Sequence, residues 1–166
     1  MKSRRKLVIC GASPIARAIL NAARSLDVQT VAATCPEDSA KMADADHLIT
    51  GFDLSPETLT ERDAIIVATQ GKQDRAALRA ALSSAAGYKG MVCSRKKLAK
   101  LKADLTQENV DLKQAFSVLH APAGLDIGAI EPEEIGLAVL CEIIADWRRR
   151  QAANPGITPE LTRMSI

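Results

Sequence analysis

Aromatic residues are scarce in this sequence: Phe, Trp and Tyr together make up 2% of its 166 residues. A protein that binds nucleic acid by stacking bases on aromatic rings would have almost no material here. Neither sign of charge dominates, because 22 Lys and Arg residues stand against 20 Asp and Glu residues, giving a formal net charge of +2. This balance argues against a dedicated polyanion-binding protein, and no nucleic-acid partner is expected.

Paired cysteines are also missing. The four cysteines, Cys10, Cys35, Cys93 and Cys141, lie far apart, with no CxxC motif and no histidine at ligand spacing. The spacing indicates neither a zinc knuckle nor a disulfide framework, so no metal site is expected and a reducing compartment fits best. The first three should lie at or just past the carboxyl ends of strands, either as buried thiols or as contacts to a ligand. Cys141, inside a predicted helix, should lie in the core.

Long apolar runs are absent as well. No segment approaches the ~20 apolar residues that a membrane-spanning helix needs. The basic residues near the start precede an apolar stretch, residues 7–10, that is far shorter than the apolar region of a secretory signal peptide. We therefore expect a soluble, cytoplasmic protein with no membrane partner.

What the sequence does contain is a regular alternation of short apolar runs with helical patterns. The apolar runs predict strands, and the 3.6-residue patterns predict helices between them. The predicted strands are 6–10, 28–33, 63–69, 88–93 and 115–121, and the predicted helices are 15–23, 73–86, 95–105 and 132–150. This order predicts a single α/β domain over residues 1–150, with a doubly wound, mostly parallel, Rossmann-like sheet and a ligand at the carboxyl ends of its strands. Residues 151–166 are predicted to form a C-terminal tail.

A glycine-containing turn, residues 11–16, lies between the first strand and the first helix, where dinucleotide-binding folds place a G-x-G-x-x-G/A motif. Gly11 suits the tight turn and Ala16 suits close helix packing, but Ser13 stands where the second glycine would let a pyrophosphate approach. Ser13 can instead cap the helix, with Pro14 at its first position. A capped helix without a ligand and an anion site at the same amides both remain open.

The second strand lacks the acidic residue that usually binds the ribose of a dinucleotide, because Ala33 and Thr34 occupy that place. Glu37 and Asp38 follow Pro36 and are expected to cap the next segment. NAD(P) binding is therefore less expected than the fold alone would indicate.

A second candidate anion site follows the predicted strand 88–93. Cys93 ends the strand, Ser94 can cap the next helix, and Arg95 begins a run of three cations beside the exposed amides. Cations are unfavourable at a helix N-terminus unless an anion is present, so the arrangement suits a phosphate. The alternative is a solvated basic face. No catalytic constellation is evident anywhere in the chain, which favours a binding protein over an enzyme.

The densest motif is His-Ala-Pro-Ala-Gly-Leu-Asp-Ile-Gly-Ala at residues 120–129, followed by Glu-Pro-Glu-Glu-Ile at 131–135. It resembles the P-x-G-L-D-I-G-A…P-E-E-I-A…E-I signature of the C-terminal Rossmann domain of the XdhC/CoxI family. The resemblance continues through Tyr-Lys-Gly at 88–90, Ser-Arg-Lys at 94–96 and the Gly11 turn. It covers nearly all of residues 5–150.

The resemblance implies a maturation factor for molybdenum hydroxylases such as xanthine and carbon monoxide dehydrogenases. Family members hold and protect the molybdenum cofactor, and assist its sulfuration and insertion, as a carrier or chaperone. The implied partners are the hydroxylase apoenzyme, a separate protein of the family's N-terminal type or a cysteine desulfurase, and a second copy of the chain. The residues expected to contact the molybdenum cofactor or shape the rim of its site are Gly11, Ser13, Ala16, Cys93, Ser94, Arg95, Gly124, Asp126 and Gly128.

The sequence also departs from the family pattern. The family's first turn is usually G-A-G-H-x-A, whereas Ser13 and Pro14 replace the second glycine and the histidine. Ala33 stands for an aspartate, Gln70 stands for a histidine, and the N-terminal domain of longer members is not expected. Two alternatives therefore remain: an NAD(P)-dependent oxidoreductase, and a degenerate Rossmann interaction module without a small-molecule ligand.

Overall fold

The computed structural model describes residues 3–108 and 111–154. Strands and α-helices alternate along most of this chain. The strands are β1 (Arg5–Cys10), β2 (Val28–Thr34), β3 (His47–Thr50), β4 (Ala64–Val67), β5 (Tyr88–Met91) and β6 (Leu119–His120). The helices are α1 (Pro14–Ala23), α2 (Asp74–Ser83), α3 (Arg95–Glu108), α4 (Leu112–Ala115) and α5 (Pro132–Ala153), with 3-10 turns at Pro36–Met42, Ser55–Glu57 and Phe116–Val118.

All the paired strands are parallel, and they lie in the order β3-β2-β1-β4-β5-β6. The chain first builds outward from β1 to β3, then returns to the other side of β1 and builds outward to β6. The order therefore reverses between β1 and β4, which is the switch point of a doubly wound Rossmann sheet. This arrangement confirms the predicted fold class.

Both faces of the sheet are covered by helices. Successive side chains of a strand point to opposite faces, and β1 shows this clearly. Leu7 and Ile9 join one buried cluster, which includes apolar residues of α1 and α5. Val8 and Cys10 join a second cluster on the other face, which includes residues of α2 and α3. Burial on both faces explains why the central strands have apolar runs without alternation.

Helix α5 begins as its sequence predicts, and it packs closely on α1. Pro132 is at its first position, and Glu131 and Glu134 form a reciprocal capping box. A Cβ atom at Gly136 would lie 3.1 Å from the Cβ of Ala18, so the absent side chain allows the two helices to approach. The helix continues three residues past the predicted end at residue 150. None of the described helices is long and apolar enough to cross a membrane.

The predicted strand over 115–121 is wrong for most of its length. Only Leu119 and His120 form β6, and the preceding residues form α4 and a 3-10 turn. The apolar residues Leu112, Ala115, Phe116 and Leu119 recur at spacings typical of a helix. The sequence prediction also omits β3, a short edge strand whose side chains are mostly exposed and show no apolar alternation.

The prediction that Cys141 lies in the core is also wrong, because its side chain is exposed. The buried face of α5 includes Val139, Ile143 and Trp147, which recur every four residues. A residue two positions from Val139 is turned about 200° around the helix and points away from the sheet. The other three cysteines lie where predicted, at or after the ends of β1, β2 and β5. The predicted C-terminal tail beyond residue 154 lies outside the described residues.

Candidate functional site

A crevice of about 440 Å³ lies at the carboxyl ends of the strands, at the switch point between β1 and β4. This is where doubly wound sheets bind ligands. Its lining comes from the turn after β1, the segment after β2 and the loop after β4. The lining residues include Gly11, Ala12, Ser13, Arg17, Thr34, Cys35, Asp38, Lys41, Phe52, Thr69, Gln70 and Lys72.

Gly11 lines the crevice and lets the turn after β1 lie directly against the backbone after β4. Its φ of +107° lies in a region that side chains rarely adopt, and its amide donates to the carbonyl of Ala33 at 2.8 Å. A Cβ atom at this position would lie 2.7 Å from the carbonyl oxygen of Ala68 and 2.8 Å from the Cα atom of Thr69. The turn after β1 therefore touches the backbone after β4, and only glycine fits between them.

Ser13 links the same two segments and also caps α1, as its sequence position predicts. Its Oγ accepts from the amide of Ala16 at 3.1 Å and donates to the carbonyl of Ala68 at 2.6 Å. The hydroxyl is therefore already engaged by the protein. The amides of Ala12 and Ser13 itself have no acceptor among the described residues, and they lie at the N-terminus of the ten-residue α1. A helix N-terminus with free amides favours an anion.

Replacing Ser13 with alanine should lower the free energy of unfolding by about 1 kcal/mol, because the cap is lost. Ser13→Gly also loses the bond to Ala68, but it should be less destabilised than Ser13→Ala because glycine is itself an acceptable cap. Urea unfolding of the two variants, followed by circular dichroism, measures the difference. Equal stability of Ser13→Ala and the unmodified protein would contradict the capping role.

A second feature of the crevice is a charge cluster around Asp38. The Asp38 carboxylate accepts from Lys41 at 2.9 Å and from Lys72 at 2.7 Å, and Lys72 also pairs with Glu37 at 3.0 Å. Hydrogen bonds from Lys72 and Lys41 lower the pKa of Asp38, and the bonds to Asp38 and Glu37 raise the pKa of Lys72. The sequence predicts only a local capping role for Asp38. Its partner Lys72 lies 34 residues away, and no local pattern indicates that contact.

Arg17 is the crevice's remaining cation. It lies on α1, one turn from the free amides, and its guanidinium has no hydrogen-bond or ion-pair partner within residues 3–108 and 111–154. Lys41 and Lys72 are both neutralised by carboxylates, so Arg17 is the unpaired cation among the described residues that line the crevice. The amides and this guanidinium together form a corner suited to a phosphate or another oxyanion.

Cys93, Ser94 and Arg95 lie after β5 and do not line the crevice. Ser94 caps α3 as predicted, since its Oγ accepts from the amide of Lys97 at 3.1 Å. Next to them lies Asp74, which binds Lys97 at 3.0 Å and the amide of Gly71 at 2.8 Å, and also accepts from the hydroxyl of Thr69. This network connects the loop after β4 to the start of α3.

The other predicted site residues are placed apart from the crevice. Ala16 is fully buried and packs α1 on the sheet. Gly124, Asp126 and Gly128 belong to the segment between β6 and α5, where Asp126 and Gly128 are exposed. Leu125 and Ile127 in the same segment are 44% and 57% exposed, so it presents apolar side chains to its surroundings.

Cys10 and Cys93 are not activated nucleophiles. Burial raises the pKa of Cys10 to about 12. Burial, with the nearby carboxylate of Asp74, also raises the pKa of Cys93, although Lys97 acts in the opposite direction. Both thiols are therefore protonated at neutral pH. Among the described residues, no three His, Cys, Asp or Glu side chains gather into a group that could hold a metal ion.

The family model described as the XdhC Rossmann domain matches residues 7–143. The chain belongs to the XdhC Rossmann-domain family. The match begins in β1 and ends in α5, so it includes the crevice, the network around Asp74 and the segment from Gly124 to Gly128. The resemblance drawn from the sequence motifs is thereby confirmed.

Two proteins similar to this XdhC domain are longer than it. The uncharacterized protein YqeB of Escherichia coli K12 is 30% identical over 147 residues, which cover 85% of this chain and 27% of YqeB. A Bacillus halodurans chain of known structure, described as a xanthine dehydrogenase, matches with a TM-score of 0.74 and 25% identity. That match covers 92% of this chain and 45% of the other. The chain thus spans less than half the length of either relative.

Proposed function

We propose that this chain is an accessory protein of a molybdenum hydroxylase of the xanthine dehydrogenase kind, and that it holds the molybdenum cofactor in the crevice as cargo. Membership of the XdhC Rossmann-domain family supports the association. So does the similarity to the Bacillus halodurans chain described as a xanthine dehydrogenase. The client would be the hydroxylase apoenzyme, which receives the cofactor.

The observation that carries the proposal is the oxyanion corner of the crevice, formed by the amides of Ala12 and Ser13 and the guanidinium of Arg17. The molybdenum cofactor is a pterin that bears a phosphate, and a phosphate needs such donors. A crevice of about 440 Å³ is large enough for a small ligand of this kind. The residues present therefore fit the phosphate end of the cofactor.

The remaining polar groups of the crevice favour holding a ligand over reacting with it. Lys41 and Lys72 both donate to the Asp38 carboxylate, so neither the carboxylate nor the two ammonium groups are free for proton transfer. The hydroxyl of Thr69 donates to Asp74, and that of Ser13 donates to Ala68. A carrier needs donors that bind and orient its cargo, and these groups keep the walls in place.

Arg17→Gln should weaken retention of the molybdenum cofactor by roughly tenfold, because it removes the unpaired guanidinium of the corner. Arg95→Gln is the matched variant, since Arg95 is also an exposed arginine near the start of a helix but does not line the crevice. The purified proteins are mixed with freshly released cofactor under reducing, anaerobic conditions and gel-filtered. Molybdenum and pterin are then assayed in the protein peak.

Loss of both molybdenum and pterin in Arg17→Gln, with retention in Arg95→Gln, would support the crevice as the binding site of the cofactor. The opposite result would place the phosphate after β5, at Ser94 and Arg95. If the unmodified protein retains no cofactor while a known carrier does, the carrier proposal fails.

A dinucleotide is the second candidate ligand, because the strand order β3-β2-β1-β4-β5-β6 is that of dinucleotide-binding sheets. Asp38 also brings a carboxylate close to the end of β2, where such folds bind a ribose. A rise in melting temperature with NAD(H) or NADP(H) would support this candidate. Displacement of bound molybdenum cofactor by the same nucleotides would show that the two ligands share the crevice.

A further inference from the structure

A second cavity, of about 510 Å³, lies at the opposite end of the sheet from the crevice. It is bordered by the start of β1, the residues before β2 and β4, and the end of α5. Four arginines line it, Arg4, Arg5, Arg62 and Arg150, with Trp147 beside them. We call it the arginine cavity. The family's expected ligand site is at the carboxyl ends of the strands, so this cavity is separate from it.

Two of the four arginines are already neutralised. Arg4 pairs with Asp27 at 3.0 Å, and Arg150 pairs with Asp146 at 2.6 Å. Arg5 and Arg62 have no carboxylate within ion-pair distance in the described part of the chain, although Glu61 is also in the lining. The arginine cavity thus contains two unpaired guanidinium groups.

Arg5 is held in a fixed position at the wall of the cavity. Its guanidinium lies 5.2 Å from the centroid of the Trp147 ring, within the distance of a cation–π contact. Burial, together with the like charges of Arg62 and Arg148, lowers the pKa of Arg5, although the Asp63 carboxylate acts in the opposite direction. The like charges of Arg5 and Arg62 repel each other, and an anion bound between these two guanidinium groups would relieve the repulsion.

Trp147 gives a second, independent indication. The residue is 6% exposed, and its Nε1 is buried without an acceptor among the described residues. A buried donor that lacks a partner costs free energy, and native proteins usually satisfy such groups. Trp147 itself lines the arginine cavity, so the unsatisfied donor belongs to a residue of the same site.

We propose that the arginine cavity binds a small phosphorylated molecule, with its phosphate between Arg5 and Arg62. A phosphate monoester carries close to two negative charges at neutral pH, which matches two unpaired guanidinium groups. Planar guanidinium groups also match the geometry of phosphate oxygens. The volume of the cavity is that of a small-molecule site.

Trp147 is the only tryptophan of the chain, so its fluorescence reports on this cavity directly. The full chain is titrated with inorganic phosphate as the probe, against chloride at the same ionic strength. We expect a saturable change in fluorescence with phosphate and none with chloride. Arg62→Gln, and separately Arg5→Gln, should raise the apparent Kd roughly tenfold or more. Arg79→Gln is the matched control, because Arg79 pairs with Glu108 on another part of the surface and should leave the Kd unchanged.

Three outcomes would overturn the proposal. One is the absence of a saturable change with phosphate in the unmodified protein. Another is an unchanged Kd in Arg62→Gln, which is the decisive variant because Arg62 lies outside the strands and its loss should not unfold the sheet. The third is a fluorescence change that follows protein concentration instead of phosphate, which would make this face a contact between copies. None of these results depends on cofactor retention in the crevice.

Discussion

Replacing Gly11 with alanine should lower the free energy of unfolding by about 2 to 5 kcal/mol. The new Cβ would meet the carbonyl oxygen of Ala68 at 2.7 Å, and the φ of +107° would be strained for alanine even without that contact. The atoms it would meet belong to the backbone just after β4, and they cannot turn away as a flexible side chain would. The turn after β1 or the loop after β4 must therefore move, and the crevice would change shape.

Gly51→Ala separates the steric contact from the backbone strain. Gly51 also has a positive φ, +83°, but its added Cβ would meet no atom of the described residues within 4 Å beyond its own chain neighbours. It should cost only about 1 kcal/mol, from the unfavourable φ alone. Urea unfolding of both variants gives the comparison. Equal losses of stability in the two variants would show that the close approach of β1 and β4 is not what requires glycine.

Replacing Asp74 with alanine should cost about 2 to 4 kcal/mol. Asp74 is 8% exposed and accepts hydrogen bonds from the Thr69 hydroxyl, the Gly71 amide and the Lys97 ammonium group. Its removal leaves these three donors without their acceptor and frees the loop after β4 from α3. Asp126→Ala is the control, because Asp126 is exposed and its carboxylate accepts no hydrogen bond from the described residues. A loss of stability as small as that of Asp126→Ala would contradict the role of the network.

The same residue predicts how stability depends on pH. Burial by itself would raise the pKa of Asp74, but hydrogen bonds from Thr69, Lys97 and Gly71 outweigh it and hold the pKa below its ordinary value. The pKa of Asp74 is lower in the folded protein than in the unfolded chain. The stability that its carboxylate contributes is therefore complete above the unfolded pKa of about 4, and it is lost as the pH falls through the folded pKa. The difference in stability between the unmodified protein and Asp74→Asn should therefore shrink between pH 7 and about pH 3. A constant difference over this range would be evidence against the charged interaction.

The layers of the fold follow well from the sequence because they depend on local patterns. Apolar runs such as that of β4 indicate strands buried on both faces, and Ser13 and Pro14 mark the start of α1 correctly. Edge elements are harder to predict, since β3 and β6 are short and bury little of their surface. The contacts of an edge strand come from distant parts of the chain, and local periodicity does not record them.

The candidate site can be predicted only in part for the same reason. The Gly11 turn follows from its position after a strand, and the structure places it in the crevice. Asp38 belongs to the site because its carboxylate accepts hydrogen bonds from Lys72 and Lys41. Asp38 and Lys72 are separated by 34 residues and meet only because the strand order reverses at the switch point. Without that order, the sequence cannot distinguish Asp38 from a local cap.

The two walls of the crevice belong to different halves of the sheet, and they are tied to each other without a ligand. Ser13 bonds to the carbonyl of Ala68 at the floor, and Lys72 from the loop after β4 pairs with Asp38 after β2. The conformational entropy of these segments is therefore lost when the protein folds, and not when a ligand enters. For the proposed ligand, a preorganised crevice of this kind leaves the affinity to depend mainly on what the ligand itself offers to the free amides and to Arg17.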